Sequence, residues 1–244
     1  MKLRLLPVQF ALEIFAGTAR ITQALLDTGI SAFPIDICIS PLHNLSDINV
    51  EHIILHWLQS SRINFLWLDM PCTSFSRARK WDGLGPGPLR DRDNLFGFSW
   101  LSADDARKVR TGNNLLRISL RFLEACEKFR IPYALENPRG SYAWDMPLMK
   151  RFVAAHNPQL VHLDFCQYGE EWRKPTTIMG NFWKLQDISR NCSSSNGVCS
   201  RTKRPHFPLT GTDENNVFWT LRAQPYPRQL CQAVAATVAN SMSL

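Results

Sequence analysis

Apolar and polar positions alternate along the chain with two different periods, and together they predict a succession of strands and helices. Short apolar runs bounded by glycine or polar residues predict strands at residues 8–15, 31–39, 63–68, 133–135, 160–165 and 177–182. Apolar residues at three- and four-residue spacing predict helices at residues 19–28, 50–59, 113–129, 146–155 and 227–242. Strands that alternate with helices predict an α/β fold on a mostly parallel sheet, with the late strand pair as an antiparallel addition at one edge.

Two stretches lack a clear period and are predicted to be loops. Residues 77–112 carry an alternation of glycine and proline, and residues 186–216 are rich in serine, asparagine and proline. Long loops inside compact domains are commonly functional, so residues 77–112 are expected to be mobile and to contact a substrate. A chain of 244 residues, 45% of them hydrophobic, can bury one large core and does not need two, so we expect a single domain over residues 1–244.

The charge of the chain favours a polyanionic partner such as nucleic acid. The chain holds 28 basic and 21 acidic residues, a net charge of +7. Residues 77–110 carry eight basic side chains against five acidic ones, and residues 190–204 carry four basic side chains and no acid. A mildly basic globular protein without such a partner can have the same total charge, so the two basic segments, rather than the total, support this interpretation.

Seven cysteines at irregular spacing indicate free thiols in a reducing, intracellular compartment, which is the nucleus if the source is eukaryotic. The N-terminal apolar stretch is short and Glu13 interrupts it, which is not typical of a signal peptide. The sequence has no run of about eighteen apolar residues, so neither a membrane span nor a membrane partner is expected.

The segment from Asp69 to Ser76 is the strongest candidate for chemistry. It follows the predicted strand at 63–68 and so delivers Cys72 at the carboxyl end of a central strand, beside Pro71, which stiffens the exit. Ligands of open α/β sheets bind at that edge, so Cys72 is a candidate nucleophile. The thiolate is the reactive form, and Cys72 is therefore expected in an electropositive, partly exposed place. A buried structural thiol is the alternative, because free cysteine is among the most buried residue types.

Further motifs fall where other strands end. Small residues follow Glu13 at the turn into the first helix, where the backbone can approach a ligand, although a tight turn without a ligand also explains them. Asp36 lies near the end of the second strand, where acids accept hydrogen bonds from ribose hydroxyls. Glu136 and Asn137 follow the strand at 133–135, and a carboxyl in a partly apolar pocket can keep a proton near neutral pH. Surface acids and helix caps are the alternatives for these residues.

The motifs follow one another in a distinctive order. Between Leu12 and about Val238 they are E-x-F-x-G, D, P-C-x-x-F-S, E-N, Y-G-x-x-x-R-K-P-T and Y-P-x-x-L. This series resembles the DNA (cytosine-5) methyltransferases. The resemblance implies a Rossmann-like class I methyltransferase fold, with a mostly parallel seven-stranded sheet, an antiparallel edge strand and helices on both faces. It also implies S-adenosyl-L-methionine as cofactor, S-adenosyl-L-homocysteine as its product, and cytosine in duplex DNA as the target.

The resemblance also implies a role for individual residues. Cys72 matches the nucleophile that attacks C6 of a flipped-out cytosine and forms a covalent adduct. Glu136 matches the acid that contacts the ring at N3, Asn137 supports its loop, and Arg173 is expected near the cytosine. The residues implied at the cofactor site are Phe15, Ala16, Gly17, Thr18, Asp36, Asp47 and Pro71. The residues expected to contact DNA are Ser76, Arg77, Arg79 and Lys80. The C-terminal helix from Tyr226 is expected to pack against the first motif and complete the cofactor pocket.

The chain departs from the family before its last motif. A large target-recognition domain is typical there, whereas this chain has only residues 186–216. A partner protein that supplies target selection is one explanation. Two other functions stay open, namely methylation of cytosine in RNA or in a free nucleotide, and nucleic-acid binding by a catalytically inactive homologue.

Cys192, Cys199 and His206 lie within that short region, with six residues in each gap. A zinc site would need a fourth ligand, for which Cys166 and His162 are the candidates, and the spacing does not match common zinc modules. Unpaired loop thiols are therefore the expectation, and no metal site is predicted.

Overall fold

A single sheet of six strands forms the centre of the computed structural model, which describes residues 8–81 and 85–242. The strands are β1 (Phe10–Ile14), β2 (Ala32–Ile35), β3 (Ile63–Asp69), β4 (Tyr133–Pro138), β5 (Gln159–Asp164) and β6 (Pro175–Gly180). The helices are α1 (Arg20–Asp27), α2 (Ile48–Gln59), α3 (Ala103–Phe129), α4 (Pro147–His156), α5 (Trp219–Arg222) and α6 (Arg228–Met242). Short 3₁₀ turns lie at Pro41–His43, Tyr142–Asp145, Phe165–Tyr168 and Leu185–Ile188.

The strand order is β2-β1-β3-β4-β6-β5, and the first four strands of that order are parallel. The prediction of an α/β fold on a mostly parallel sheet is confirmed. Two details differ, since the described residues form six strands rather than seven, and the antiparallel strand is β6, next to the edge, rather than the edge strand itself. β6 takes the inner position because all its residues but the first are buried, whereas β5 exposes alternate side chains, Leu160 and His162.

Side chains of the central strands alternate between two apolar layers, one on each face of the sheet. On one face, Ile14 and Leu68 pack in a core with side chains from α2, α3 and α4. On the other face, Phe65 and Trp67 pack with side chains from α1 and α6. The prediction of helices on both faces is confirmed. Because α6 packs on α1, the C-terminal helix returns to the first motif of the chain.

Helix α3 begins at Ala103, so the prediction of a loop over residues 103–112 is wrong. The Ser102 Oγ caps the helix by accepting a hydrogen bond from the Asp105 backbone N–H at 3.2 Å. Asp104 and Asp105 in the first turn complement the positive end of the helix dipole. The first turns bury few apolar side chains, and the apolar period that predicts a helix is therefore weak there.

The rest of the long segment agrees with the prediction of a loop. Residues 77–81 and 85–102 contain no helix or strand, and residues 82–84 lie outside the described residues. Residues 186–216 form a loop that begins in a 3₁₀ turn and is joined by isolated bridges. No helix in the described ranges has the length and apolar content needed to cross a membrane.

Candidate active site

The candidate site lies at the carboxyl ends of β3 and β4, two central parallel strands. Asp69 ends β3 and pairs in register with Glu136 of β4, so the two side chains lie next to each other. Cys72 lies on the turn after β3 and is half-buried. Asn137 Nδ2 donates to the Met70 carbonyl at 2.7 Å, which ties the cysteine turn to β4. The structure therefore brings together Cys72, Glu136 and Asn137, which the sequence nominates for catalysis.

Arg90 and Gly112 hold the turn that carries Cys72. The buried Arg90 guanidinium donates to the Ser74 carbonyl at 2.8 Å and to the Ser74 Oγ at 2.9 Å, and it lies 3.9 Å from the Phe75 ring centroid. Burial lowers the pKa of Arg90 to about 10, because it disfavours the charged form. A Cβ at Gly112 would lie 2.2 Å from the Ser74 Oγ, so α3 approaches this closely only because that position is glycine. The loop before α3 and the helix itself thus position the cysteine turn.

Asp69 and Glu136 form a buried pair of carboxyls. The Tyr226 hydroxyl donates to Glu136 Oε2 at 3.2 Å, and Glu136 is 2% exposed. Burial, and then the negative charge of Glu136, raise the pKa of Asp69 well above its ordinary range. Two adjacent buried carboxyls do not both ionise readily, so burial and the neighbouring charge favour a proton on Asp69. Sequence reasoning missed the role of Asp69, although its place at a strand end beside the E-N motif was the available signal.

Lys174 is the cation of this site. Its positive charge lowers the pKa values of Cys72 and Asp69, against the larger effect of burial. The Lys174 Nζ lies 4.7 Å from the Phe165 ring centroid and donates to a backbone carbonyl at 3.3 Å. Sequence reasoning missed this residue and chose its neighbour, although both basic residues stand side by side in the same motif.

Arg173 faces Asp164 and the cysteines after β5, and its expected contact with the cytosine stays a prediction. Its Nε donates to Asp164 Oδ1 at 3.2 Å, and its charge acts on Cys166 and Cys192. Although consecutive in the chain, Arg173 and Lys174 thus face different parts of the molecule.

The surroundings of Cys72 favour the protonated form of its thiol. Burial raises its pKa to about 11, Lys174 lowers it, and Glu136 and Asp69 raise it. Two carboxyls beside one lysine are not the electropositive surroundings expected for this residue. The thiol therefore needs a proton acceptor before it can act as a nucleophile.

β1 pairs in parallel with β3, so the turn from β1 into α1 lies at the same edge of the sheet as the turn after β3. Phe15, Gly17 and Ala19 have positive φ values of 62°, 50° and 52°, a left-handed path that glycine adopts without strain. Apart from Gly17 and its two chain neighbours, no atom of the described residues lies within 4 Å of the place that a Cβ of Gly17 would occupy, so the turn is open there. Asp36 Oδ2 accepts the Gly17 N–H at 2.9 Å and joins the end of β2 to the turn.

The remaining residues implied at the cofactor site differ in their surroundings. Ala16 is buried, Thr18 is exposed and Pro71 is half-buried beside Cys72. Asp47 caps α2, since its Oδ1 accepts the Asn49 N–H at 2.9 Å. The helix cap accounts for the position of Asp47, and its contact with a cofactor stays a prediction.

Three of the four residues expected to contact DNA already have partners within the chain. Arg77 pairs with Asp145 at 2.5 Å, and Arg79 Nε donates to a loop carbonyl at 2.8 Å. The Ser76 hydroxyl accepts a backbone N–H at 3.1 Å, and Lys80 is exposed. Their contacts with DNA stay predictions.

A cluster of aromatic rings lies on the loop that follows the cysteine turn. The ring centroids of Trp81 and Trp100 are 5.7 Å apart, and Phe98 stacks on Trp100 at 4.8 Å. Trp81 is 68% exposed and Trp100 is 62% exposed. Exposed rings of this kind can stack on unpaired bases. Sequence reasoning did not single out these residues, although aromatic residues inside a glycine-rich loop were the signal.

A second group of reactive side chains lies beside Arg173. Cys166, Cys192, Cys199 and His206 bring their ligand atoms within 4.8 Å of one another. The three thiols are buried, and all seven cysteines of the chain lie in the described residues and are free. The expectation of unpaired loop thiols did not foresee this convergence.

No family model and no curated protein matches the chain. Among solved structures, it is similar to a candidate DNA modification methyltransferase encoded within an E. coli prophage, with 11% identity, 81% of this chain and 52% of that chain covered, and a TM-score of 0.42. It is also similar to a mutant of DNMT2 from Spodoptera frugiperda, with 13% identity, 77% and 56% of the two chains covered, and a TM-score of 0.40. The chain spans about half the length of either protein.

Proposed function

We propose that the chain is an S-adenosyl-L-methionine-dependent methyltransferase that methylates C5 of cytosine in DNA. The observation that carries the proposal is the convergence of Cys72, the Asp69–Glu136 carboxyl pair and Lys174 at the carboxyl ends of β3 and β4. A thiol, a proton and a cation are the groups that nucleophilic addition to a pyrimidine ring needs. The order of the motifs, which resembles that of the DNA (cytosine-5) methyltransferases, supports the same chemistry.

The residues of the β1–α1 turn fit the cofactor. The open space at Gly17 lets a ligand approach the backbone, and the Asp36 carboxylate lies beside that space. The two Asp36 oxygens accept N–H groups from Gly17 and Cys38, and each keeps a lone pair for a ribose hydroxyl. When bound, S-adenosyl-L-methionine supplies an electrophilic methyl group.

The carboxyl pair supplies a proton to the target ring. Glu136 donates this proton at N3 of cytosine, which draws electrons towards N3 and makes C6 more electrophilic. The Tyr226 hydroxyl holds Glu136 Oε2, while Glu136 Oε1 has no hydrogen-bond partner within residues 8–81 and 85–242. We assign the contact with N3 of the base to this buried, unpartnered oxygen.

Cys72 forms and breaks the covalent bond. Its thiol gives a proton to the ionised carboxyl of the Asp69–Glu136 pair, and its sulfur attacks C6. The electrons pass to C5, which takes the methyl group. The proton on C5 then leaves to a base, the bond between sulfur and C6 breaks, and the double bond of the ring is restored. N3 returns its proton to Glu136, and the released thiolate takes back its proton from the carboxyl pair. Lys174 favours the attack because its charge stabilises the thiolate.

The target base has to leave the duplex before Cys72 can reach it. Extrusion costs a few kcal/mol, and stacking of bases on aromatic side chains offsets part of that cost. Trp81 and Trp100 offer such rings on the loop that follows the cysteine turn. Lys80, exposed on the same loop, is suited to a phosphate contact.

A trapped adduct tests the proposal. The protein is incubated with S-adenosyl-L-methionine and duplex DNA that contains 5-fluorocytosine, which lacks the proton needed for release, and the product is analysed by mass spectrometry. We expect a covalent adduct on Cys72 that carries one methyl group, and no adduct with the Cys72→Ser variant. An adduct formed only with RNA would move the substrate to RNA. No adduct on duplex, single-stranded DNA or RNA would end the proposal and favour a binding protein.

A further inference from the structure

Four side chains of metal-binding type converge near the end of β5. Cys166 lies in the 3₁₀ turn directly after that strand, while Cys192, Cys199 and His206 come from the loop after β6. Their ligand atoms all lie within 4.8 Å of one another. The three cysteines are 0%, 4% and 2% exposed, respectively, and the imidazole is half-buried. Long-range folding, and not the spacing within one helix or strand, brings these groups together.

The distances agree with a tetrahedral metal ion. Zinc–sulfur bonds of about 2.3 Å and zinc–nitrogen bonds of about 2.05 Å, at the tetrahedral angle, place sulfur and nitrogen about 3.6 Å apart. Cys192 Sγ and His206 Nε2 are 3.6 Å apart. The same geometry places two sulfurs about 3.8 Å apart, within the 4.8 Å that contains all four atoms. Disulfide bonds do not explain the convergence, since all the cysteines are free.

The surrounding groups direct donors at the sulfurs. The Ser200 backbone N–H and hydroxyl donate to Cys192 Sγ at 3.4 and 3.5 Å. Gln167 Nε2 lies 3.6 Å from Cys166 Sγ and 3.8 Å from Cys199 Sγ. Donors around a sulfur favour the thiolate, which is the form that binds a metal, and they orient it.

Basic side chains offset the charge of such a centre. Three thiolates around a divalent ion leave one negative charge. Arg173 acts electrostatically on Cys166 and Cys192, and Arg201 Nε donates to the Cys166 carbonyl at 2.6 Å. The fully buried Asp164 pairs with Arg173 and accepts the Cys192 N–H at 2.7 Å, which links the cluster to β5.

We propose that Cys166, Cys192, Cys199 and His206 bind one structural zinc ion. Three thiolates and one imidazole suit zinc, and they are poor ligands for magnesium or calcium, which prefer oxygen. Protein groups fill all four positions, so the ion has no open position for catalysis. It joins the loop after β6 to the end of β5 and thereby holds Arg173 in place. The zinc site does not depend on the proposed function, because it is tested by metal content.

The first test measures the metal content of the 244-residue chain. Protein is purified under reducing conditions without a chelator and passed through a gel-filtration column. Its metal content is then measured by inductively coupled plasma mass spectrometry. We expect about one zinc ion per chain. Addition of Co²⁺ to the metal-free protein should give the intense visible absorption of tetrahedral thiolate coordination, which zinc then removes by displacement.

Matched variants test the ligand set. Cys192→Ser and His206→Ala should retain far less zinc than the unaltered protein. His206→Cys keeps four ligands, so it should retain about one zinc ion and give a cobalt spectrum shifted towards four thiolates. Cys38→Ser changes an exposed cysteine outside the cluster and should leave the zinc content unchanged.

Two results would overturn the proposal. One is an unaltered protein that carries almost no zinc and gives no thiolate–cobalt bands on titration. The other is a His206→Ala variant that still gives those bands and binds zinc as tightly as the unaltered chain. If a variant does not fold, the cobalt titration of the unaltered protein decides on its own.

Discussion

The candidate active site and the cysteine–histidine cluster use the same chemical group, a thiol, in contrasting surroundings. Cys72 lies beside Asp69 and Glu136, which together with burial raise its pKa. The cluster thiols lie among backbone N–H groups, hydroxyls and arginines. In the proposed functions, the first thiol is a nucleophile that has to lose its proton, whereas hydrogen-bond donors orient the sulfurs of the cluster towards a metal ion. The neighbours of a cysteine, and not its residue type, decide its chemistry.

Two consecutive residues connect these regions. Arg173 points to Asp164 and the cluster, whereas Lys174 points to the carboxyl pair and Cys72. Both residues directly precede β6, which begins at Pro175.

The largest effect is expected from Cys72→Ser. A hydroxyl is a far weaker nucleophile than a thiolate, so methyl transfer should fall by about a thousandfold or more. Binding of S-adenosyl-L-methionine, measured by calorimetry, should be unchanged. Near-normal turnover by Cys72→Ser would rule out the proposed mechanism.

Alkylation should separate the two kinds of thiol. With a pKa of about 11, only about a thousandth of Cys72 is thiolate at pH 8, so its rate of reaction with iodoacetamide should rise about tenfold per pH unit up to about pH 10. In protein with zinc, the cluster cysteines should be protected until a chelator is added. Peptide mapping by mass spectrometry distinguishes them, and a Cys72 rate that is already maximal at pH 8 would contradict the assigned environment.

Glu13 is a buried acid outside the candidate active site and the cysteine–histidine cluster, and it tests how burial alone changes the pKa of a carboxyl. Glu13 accepts the Thr22 N–H at 2.7 Å, yet burial raises its pKa from 4.5 to about 7. The folded state thus binds the Glu13 proton more tightly than the unfolded state does. This proton contributes about 3 kcal/mol to the free energy of unfolding below pH 4.5, and the contribution is lost as the pH rises through 7.

Glu13→Gln should remove that dependence. Urea unfolding of both proteins between pH 4.5 and 8 gives the difference in their free energies of unfolding. The unaltered protein should lose stability relative to the variant over this window, and a constant difference would exclude Glu13 as the titrating group.

The smallest effects are expected from the two cations. Lys174→Gln should lower kcat about tenfold, because the thiolate of Cys72 loses its positive neighbour, and should move the rise of the pH–rate profile to higher pH.

Arg173→Gln leaves the buried Asp164 charge without its cation and should cost about 2 kcal/mol of stability and weaken zinc retention. If the effects of these substitutions were exchanged, the assignment of the two cations would be wrong.

The pattern of the sequence was sufficient for most of the fold, because apolar periods reflect local backbone geometry. It predicted the strand ends that carry Cys72, Asp36 and Glu136. It missed the first turns of α3, where Ser102 and Asp105 cap the helix while few apolar side chains are buried, since a cap leaves no apolar period.

The sequence by itself determined the alternation of strands and helices, the delivery of Cys72 to a strand end and the identity of the residues nearby. Only the tertiary structure decided that Lys174, and not Arg173, faces Cys72, and that Cys166 meets Cys192, Cys199 and His206. The physical reason is that local periods specify each element, whereas contacts between distant residues depend on strand order, register and the paths of loops. The position of β6 between β4 and β5 determines the strand order, the register and the loop paths around both sites.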